Sequence, residues 1–510
     1  MQARARFSSR IVPFLLITLT LLALDCRPSR GPQPSGPSGP VSGELRARLQ
    51  TKDVLALETQ EPGVHSLLTP RFYARRNFRP AWSDDNGLVP GRAESLLAAL
   101  SSSTLEGLDP CDYRVDLARA VVFKADVGRK EFCMLPPRFL AELDLVLTDA
   151  FFVYAAHLAD GKVNPETELI QGNGSGQGAG LIELLENALA TNEVETALLG
   201  LRPQHDYYVG LRNALRNYRD MLCGLGEPIE DSGPSTAAAR PTPLDARRKL
   251  LRRQVRTIML NMERWRWLPR SLGRRFILVD VAAFDLLVGE DGRVPMAMKV
   301  VVGSVPWQTP VLSARITGFI LNPAWNCTNN IFYKELINYI RADKNYLPGN
   351  KMVILQGWGD EERELDPATM DWPNVSPSTY PNLHLRQLPG SLNILGRLKF
   401  IMPNKLDIYL HDTPYQDDFK QQARIFSHGC IRAEKPFDLA AYLARSPLWT
   451  KDKILAAIEG NDERAVYLSE PVPIYVTYCT AWPKTDGVVE FRGDVYGSDE
   501  KLAAVFFQRY

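Results

Sequence analysis

Histidine and cysteine are both scarce in this 510-residue chain, at six and seven residues. No CxxC pair occurs, and no second His/Cys pair at ligand spacing accompanies the one His-x-Cys, which argues against a metal site. An excess of charge is missing as well. Sixty basic and 59 acidic residues leave a net charge of +1, a balance that offers nothing to nucleic acid or an acidic polymer. Nor is there a run long enough to span a membrane, which takes about 20 apolar residues. Ile11 to Leu24 is uncharged and mostly apolar, and it follows Arg4, Arg6 and Arg10. That pattern reads as an export signal or membrane anchor over residues 1–25, placing the chain near a membrane and in the periplasm or cell envelope. Leu22-Ala23-Leu24-Asp25-Cys26 loosely follows a lipoprotein cleavage box, with Cys26 as the candidate for lipidation, although Asp25 stands where a small residue is wanted.

Composition divides the rest. Residues 26–43 are rich in Pro, Gly and Ser, cannot bury enough surface to fold, and read as a tether. Residues 44–226 read as a helical domain. Leu140, Leu143, Leu147, Phe151, Tyr154 and Leu158 recur at three- and four-residue spacing, His157 lies on that helix as a core or surface histidine, and 93–100 and 181–199 also read helical. Residues 227–243 read as a linker. From 244 onward a helix to Trp267 precedes strand-like runs at 276–281, 283–288 and 296–302, with a turn at 289–292. Strand character returns at 396–400 and 407–410, and Leu439, Leu443 and Leu448 follow Pro436 as helical positions. Strands in quick succession predict a mainly antiparallel sandwich or barrel, and the class is α+β. Between them, 346–388 is a long loop with Trp358, Trp372, Tyr380 and His384 among Pro, Asp and Asn. In an oxidising compartment Cys111 and Cys133 are candidates for pairing, while Cys223, Cys327 and Cys479 read as buried thiols.

Two of the six histidines fall within nineteen positions of Cys430, in His411 and in Ser427-His428-Gly429-Cys430-Ile431-Arg432. A thiol attacks acyl carbon only as thiolate, and an imidazole can take its proton and later return one to a leaving amine. Gly429 lets the backbone approach a substrate and aim N–H groups at an oxyanion. In a strand reading of 406–411, Asp407, Tyr409 and His411 share a face.

The run Asp407-Ile408-Tyr409-Leu410-His411-Asp412-Thr413-Pro414, followed by Phe426 to Arg432, resembles the active-site signature of the L,D-transpeptidases. Thr309-Pro310 and Asn322-Pro323-Ala324-Trp325 extend the resemblance, with Cys327-Thr328-Asn329 departing from the usual continuation. Phe72-Tyr73, Arg79 to Trp82, Glu106 to Pro110 and Leu147 to Phe151 resemble the helical scaffold domain of the large Gram-negative type. The small peptidoglycan-binding module usual in large members is not found between 199 and 244.

The resemblance implies an L,D-transpeptidase fold with Cys430 as nucleophile and His411 as proton donor and acceptor. It implies His428 as an auxiliary group that positions the acyl group, and Gly429 and Cys430 N–H groups as the oxyanion hole. Arg432, Tyr409 and Ser427 become substrate-binding residues. Asp412, or a backbone carbonyl near it, would orient His411, and Arg432 has a salt bridge as its other reading. The implied substrate is a peptidoglycan tetrapeptide stem, joined 3→3 to a diamino-acid amine, with no metal or organic cofactor and no nucleic acid. The 346–388 segment would cap the site. Lipoprotein attachment or D-amino-acid exchange through the same thioester remains open, as does a non-catalytic peptidoglycan-binding scaffold.

Overall fold

The computed structural model describes residues 39–50, 68–84, 87–130, 135–163, 177–226, 242–484 and 487–508. The stretch expected as an export signal or anchor, Cys26, Cys133 and nearly all of the linker lie outside the described residues. Among those described, no helix is long and apolar enough to cross a membrane. Contacts divide the chain into two compact units.

The first unit takes in residues up to 101, then 113–154 and 181–197. Helix α1 (Pro40–Gln50) starts inside the stretch expected as tether, because Val41, Ser42 and Leu45 are buried. Helices α2 (Leu68–Arg75), α3 (Arg92–Ser101) and α4 (Pro137–Asp160) follow, and the spaced apolar residues predicted for α4 are all buried. The expected 181–199 helix is two, α5 (Gln177–Thr191) and α6 (Val194–Leu199), broken where Asn192 takes φ of 60°. Buried Asp144 of α4 holds the Arg79-to-Trp82 motif, accepting from Trp82 N at 3.1 Å, Tyr73 OH at 3.1 Å, Ala81 N and Ser83 Oγ.

The second unit holds residues 198–510 but also 102–112 and 155–180, so it does not follow the linear division expected from composition. A buried ionic network explains the recruitment. Glu106 accepts from Arg212 Nε at 2.6 Å, Tyr208 Oη at 2.9 Å and Arg202 Nη1 at 3.1 Å. Glu263 accepts from Arg266 at 2.8 Å and from Val163 N at 2.6 Å. Charges removed from water need such partners, and Arg212, Tyr208 and Arg266 among them come from helices α7 (Asp206–Gly224) and α8 (Pro243–Arg266). Helix α8 opens with a reciprocal cap between Thr242 and Asp245.

The main sheet is built from β1 (Arg275–Asp280), β2 (Asp285–Glu290), β3 (Arg293–Gly303) and β4 (Leu312–Leu321). An inserted subdomain then contributes β5 (Trp325–Asn326), β6 (Met352–Gln356), β7 (Arg363–Leu365) and β8 (Leu383–Gln387). The main sheet resumes with β9 (Leu398–Ile401), β10 (Leu410–His411), β11 (Ile425–Ser427), β12 (Ile431–Ala433) and β13 (Arg464–Thr477). Its order is β11-β3-β12-β10-β9-β4-β13-β1-β2, and β2 also pairs with β3, which closes a barrel. Three pairs are parallel, β10–β12, β11–β3 and β13–β1. The interior packs Val279, Val300, Phe319, Leu398, Phe400, Leu410 and Ile431 with Leu439 and Leu443 of helix α9 (Pro436–Ala444). Leu448, expected on that helix, lies beyond it and is exposed.

The 346–388 segment is not an irregular loop. The insertion starts at β5, forms a four-stranded sheet ordered β5-β8-β6-β7, and has its own core of Phe332, Ile337, Ile340, Leu347, Ile354 and Leu385. His384 belongs to β8 rather than to a loop. It is buried, stacks on Trp358 with ring centroids 4.0 Å apart, and meets Glu362 at 3.2 Å.

Candidate active site

The site grows from strand alternation on the barrel wall. Leu398 and Phe400, Leu410, and Ile431 point into the core, so Lys399, His411 and Arg432 emerge on the opposite face. Register aligns them: Lys399 lies opposite His411, and His411 opposite Arg432. Leu410 pairs with Ile431 in the parallel ladder, so one step back Tyr409 faces Cys430. Tyr409, His411, Cys430 and Arg432 therefore share one face.

The 406–411 run is not a continuous strand. Only Leu410–His411 is extended into the ladder, because Asn404 Oδ1 accepts from Leu406 N at 3.1 Å and Ile408 N at 3.2 Å and folds the approach into a loop. Asp407 takes φ of 54° there, a region sparse for non-glycine residues. Its carbonyl faces the Cys430 sulfur at 3.8 Å, and its carboxylate accepts from Tyr409 Oη at 3.2 Å.

The turn carrying Cys430 is braced on every side. Gly429 has φ of 106°, and a Cβ there would approach Ile408 Cδ1 to 3.3 Å, which favours glycine. Thr309 Oγ1 donates to the Gly429 carbonyl at 2.7 Å and accepts from Gly303 N at 2.8 Å. Tyr496 Oη donates to the Gly303 carbonyl at 2.5 Å. Ser427 Oγ accepts from Gly429 N at 3.2 Å and donates to the Cys430 carbonyl, so its hydroxyl is committed to the turn rather than open to substrate.

His411 is buried, and its Nδ1 donates to the backbone carbonyl of Asp412. Of the two orienting groups expected, the carbonyl takes the role. The Asp412 carboxylate accepts from Arg397 N at 2.8 Å instead. Burial first, and then the Arg432 and Lys399 cations, lower the imidazole to about 3 against the pull of the Asp412 and Leu395 carbonyls. The Cys430 thiol is pushed up by burial, with Tyr409 N–H, Lys399 and Arg432 opposing. At neutral pH the His411 imidazole is thus neutral and Cys430 is a thiol.

This has a consequence for stability. An unfolded histidine titrates near ~6.5, so between that pH and about 3 the unfolded chain binds a proton that the native one refuses. The stabilising contribution is complete above the unfolded value and is lost as pH falls through the folded one. Denaturation midpoints measured between about pH 7 and about pH 4 should fall less steeply for His411→Gln than for the parent chain. Parallel curves would mean that native His411 titrates normally.

His428 does not join the Cys430 face. Its Nε2 meets Glu335 Oε2 at 2.8 Å and its ring lies 5.4 Å from that of Trp307. Glu335 sits on a π-helical turn, Phe332–Leu336, of the inserted subdomain. Arg432 is buried and pairs with Asp418 at 2.9 Å, with its Nε lacking a partner among the described residues. The salt-bridge reading of Arg432 thus has a partner in place. Sequence reasoning missed Glu335, Asp418, Thr309 as a brace, Tyr496 and Lys399. Of these only Lys399 left a local signal, a lone cation between two core residues of a strand.

Residues 274–470 match the YkuD family, the L,D-transpeptidase catalytic domain, and residues 68–215 match the Scaffold domain. A Haemophilus influenzae protein, itself only provisionally named an L,D-transpeptidase, is 29% identical over 245 residues, 48% of this chain and 48% of that protein. The chain thus matches about half the length of that curated relative. An L,D-transpeptidase from Mycobacterium smegmatis is similar at 15% identity and a TM-score of 0.20, covering 40% of this chain and 58% of that one. The Ldtfm–avibactam carbamoyl enzyme is similar at 12% identity and a TM-score of 0.19, covering 51% and 80%. At such TM-scores neither structure adds weight to the fold. Residues 274–470 are thus similar to the L,D-transpeptidase catalytic domain, and residues 68–215 ahead of them to the Scaffold domain.

Proposed function

We propose that this chain is a peptidoglycan L,D-transpeptidase of the cell envelope that forms 3→3 cross-links through a thioester on Cys430. The observation that carries the reading is the shared face of Tyr409, His411, Cys430 and Arg432, fixed by the parallel pairing of β10 with β12. His411, held through Nδ1 by the Asp412 carbonyl, presents Nε2 as a neutral base. It takes the thiol proton as sulfur attacks the carbonyl of the third stem residue, a diamino acid. The same proton then passes to the amine of the departing D-alanine. The side-chain amine of an acceptor stem opens the thioester, which regenerates the thiol. Gly429 N–H is engaged by Ser427, so the Cys430 N–H becomes the leading oxyanion donor of the expected pair. No step needs a metal or organic cofactor.

Intact-protein mass spectrometry with a carbapenem tests the reading, since opening of the lactam by Cys430 leaves a stable acyl adduct. An adduct on the parent chain that is lost in Cys430→Ala supports it. A well-folded protein that takes no adduct favours the non-catalytic scaffold instead.

A further inference from the structure

Lys399 has an environment that the chemistry above leaves unused. Its neighbours Leu398 and Phe400 are in the barrel core, so its side chain rises beside His411 on the site face. A lysine on a sheet surface normally carries its ammonium out to water. Here Nζ lies 3.5 Å from the centroid of the Tyr409 ring, where the electron-rich aromatic face attracts a desolvated cation. Tyr409 is the residue facing Cys430 across the β10–β12 pair. The ammonium and the Cys430 sulfur thus act on each other electrostatically, with the Tyr409 ring beside the cation.

The other groups around that sulfur are accounted for. Arg432 from β12 is paired with Asp418 and lies 5.5 Å from the Tyr415 ring. His428, from the same turn, is bound to Glu335. Asp407 and Tyr409, from the loop before β10, bond to each other, and His411 is a neutral ring. Lys399 makes no ion pair among the described residues, although Asp407 and Glu463 act on it at longer range together with Cys430.

We infer that Lys399 is a positioning residue for the Cys430 thiolate, supplying through its ammonium the counter-charge that a neutral His411 does not. When the thiol proton leaves, sulfur keeps the electron pair and the new negative charge faces Lys399 across the Tyr409 ring. The assignment rests on Cys430 being the nucleophile, but its test reads the thiol itself rather than transpeptidation.

The full chain is treated with iodoacetamide over a range of pH, and carbamidomethylation is followed at Cys430 by peptide mass spectrometry. Lys399→Met, which keeps the stem and deletes the charge, should slow alkylation about ten-fold near neutrality and move the midpoint up by about one pH unit, with the alkaline plateau unchanged. Lys399→Gln should do the same if the methionine variant folds poorly, and Lys399→Arg should restore most of the rate. A midpoint unmoved in a folded neutral variant, or moved equally by Lys399→Arg, overturns the inference. The carbapenem adduct is a separate result, so failure of the nucleophile assignment is not confused with failure of this one.

Discussion

His411→Ala should reduce kcat/KM on a tetrapeptide donor by about 10²–10⁴-fold, the usual cost of losing a general base. His428→Ala should cost far less. Geometry sets the order. His411 is on the Cys430 face with its tautomer fixed by the Asp412 carbonyl, whereas His428 is spent on Glu335 and Trp307. Removing His411 leaves the thiol, already raised by burial, without an acceptor for its proton. Initial rates of D-alanine release by the two variants decide the matter. Parent-like activity in His411→Ala, or a larger loss in His428→Ala, would reverse the assignment.

The parts of the site readable from sequence are those where chemistry and chain distance coincide. Cys430, His411 and the glycine between Cys430 and His428 sit within a short stretch whose residue types have few other joint uses. Strand alternation then predicted that Tyr409 and His411 share a face, which the ladder reproduces. Alternation failed at Asp407, where a single side chain, Asn404, captures two backbone N–H groups and bends the run. No periodicity reports such a local competition. Long-range partners were equally silent. Glu335 lies 93 residues from His428, and the Thr309 brace lies 120 residues from Gly429. The insertion reads as loop in sequence because its core residues are spread over short helices and strands, none long enough to give a periodic signal. The division into units is not legible in composition because Glu106 and Glu263 select partners by burial and charge, not by order along the chain.

Replacing the inserted subdomain, residues 325–387, by a short Gly/Ser loop should raise the ratio of thioester hydrolysis to amine transfer by about ten-fold or more, or weaken donor binding correspondingly. The neck makes the excision structurally sensible: Asn393 Nδ2 donates to the carbonyls of Pro323 at 3.0 Å and Leu388 at 3.1 Å, so the two cut ends are already held together. The insertion also has its own core, and its removal leaves the barrel interior intact. Its reach toward the site is concrete. Glu335 holds His428, two residues from Cys430, and Lys334 Nζ lies 5.9 Å from the Trp307 ring. If the insertion covers the site as proposed, a thioester on Cys430 would be shielded from water and an acceptor amine held near the acyl carbon. Glu335→Gln offers a gentler version, weakening the tie to His428 without removing the cap, and should shift the ratio in the same direction by a smaller factor. Product ratios from a donor stem with and without acceptor, followed by mass spectrometry, give the answer. If excision changes neither the ratio nor KM, the subdomain is a passive appendage and His428 owes its position to nothing that catalysis uses.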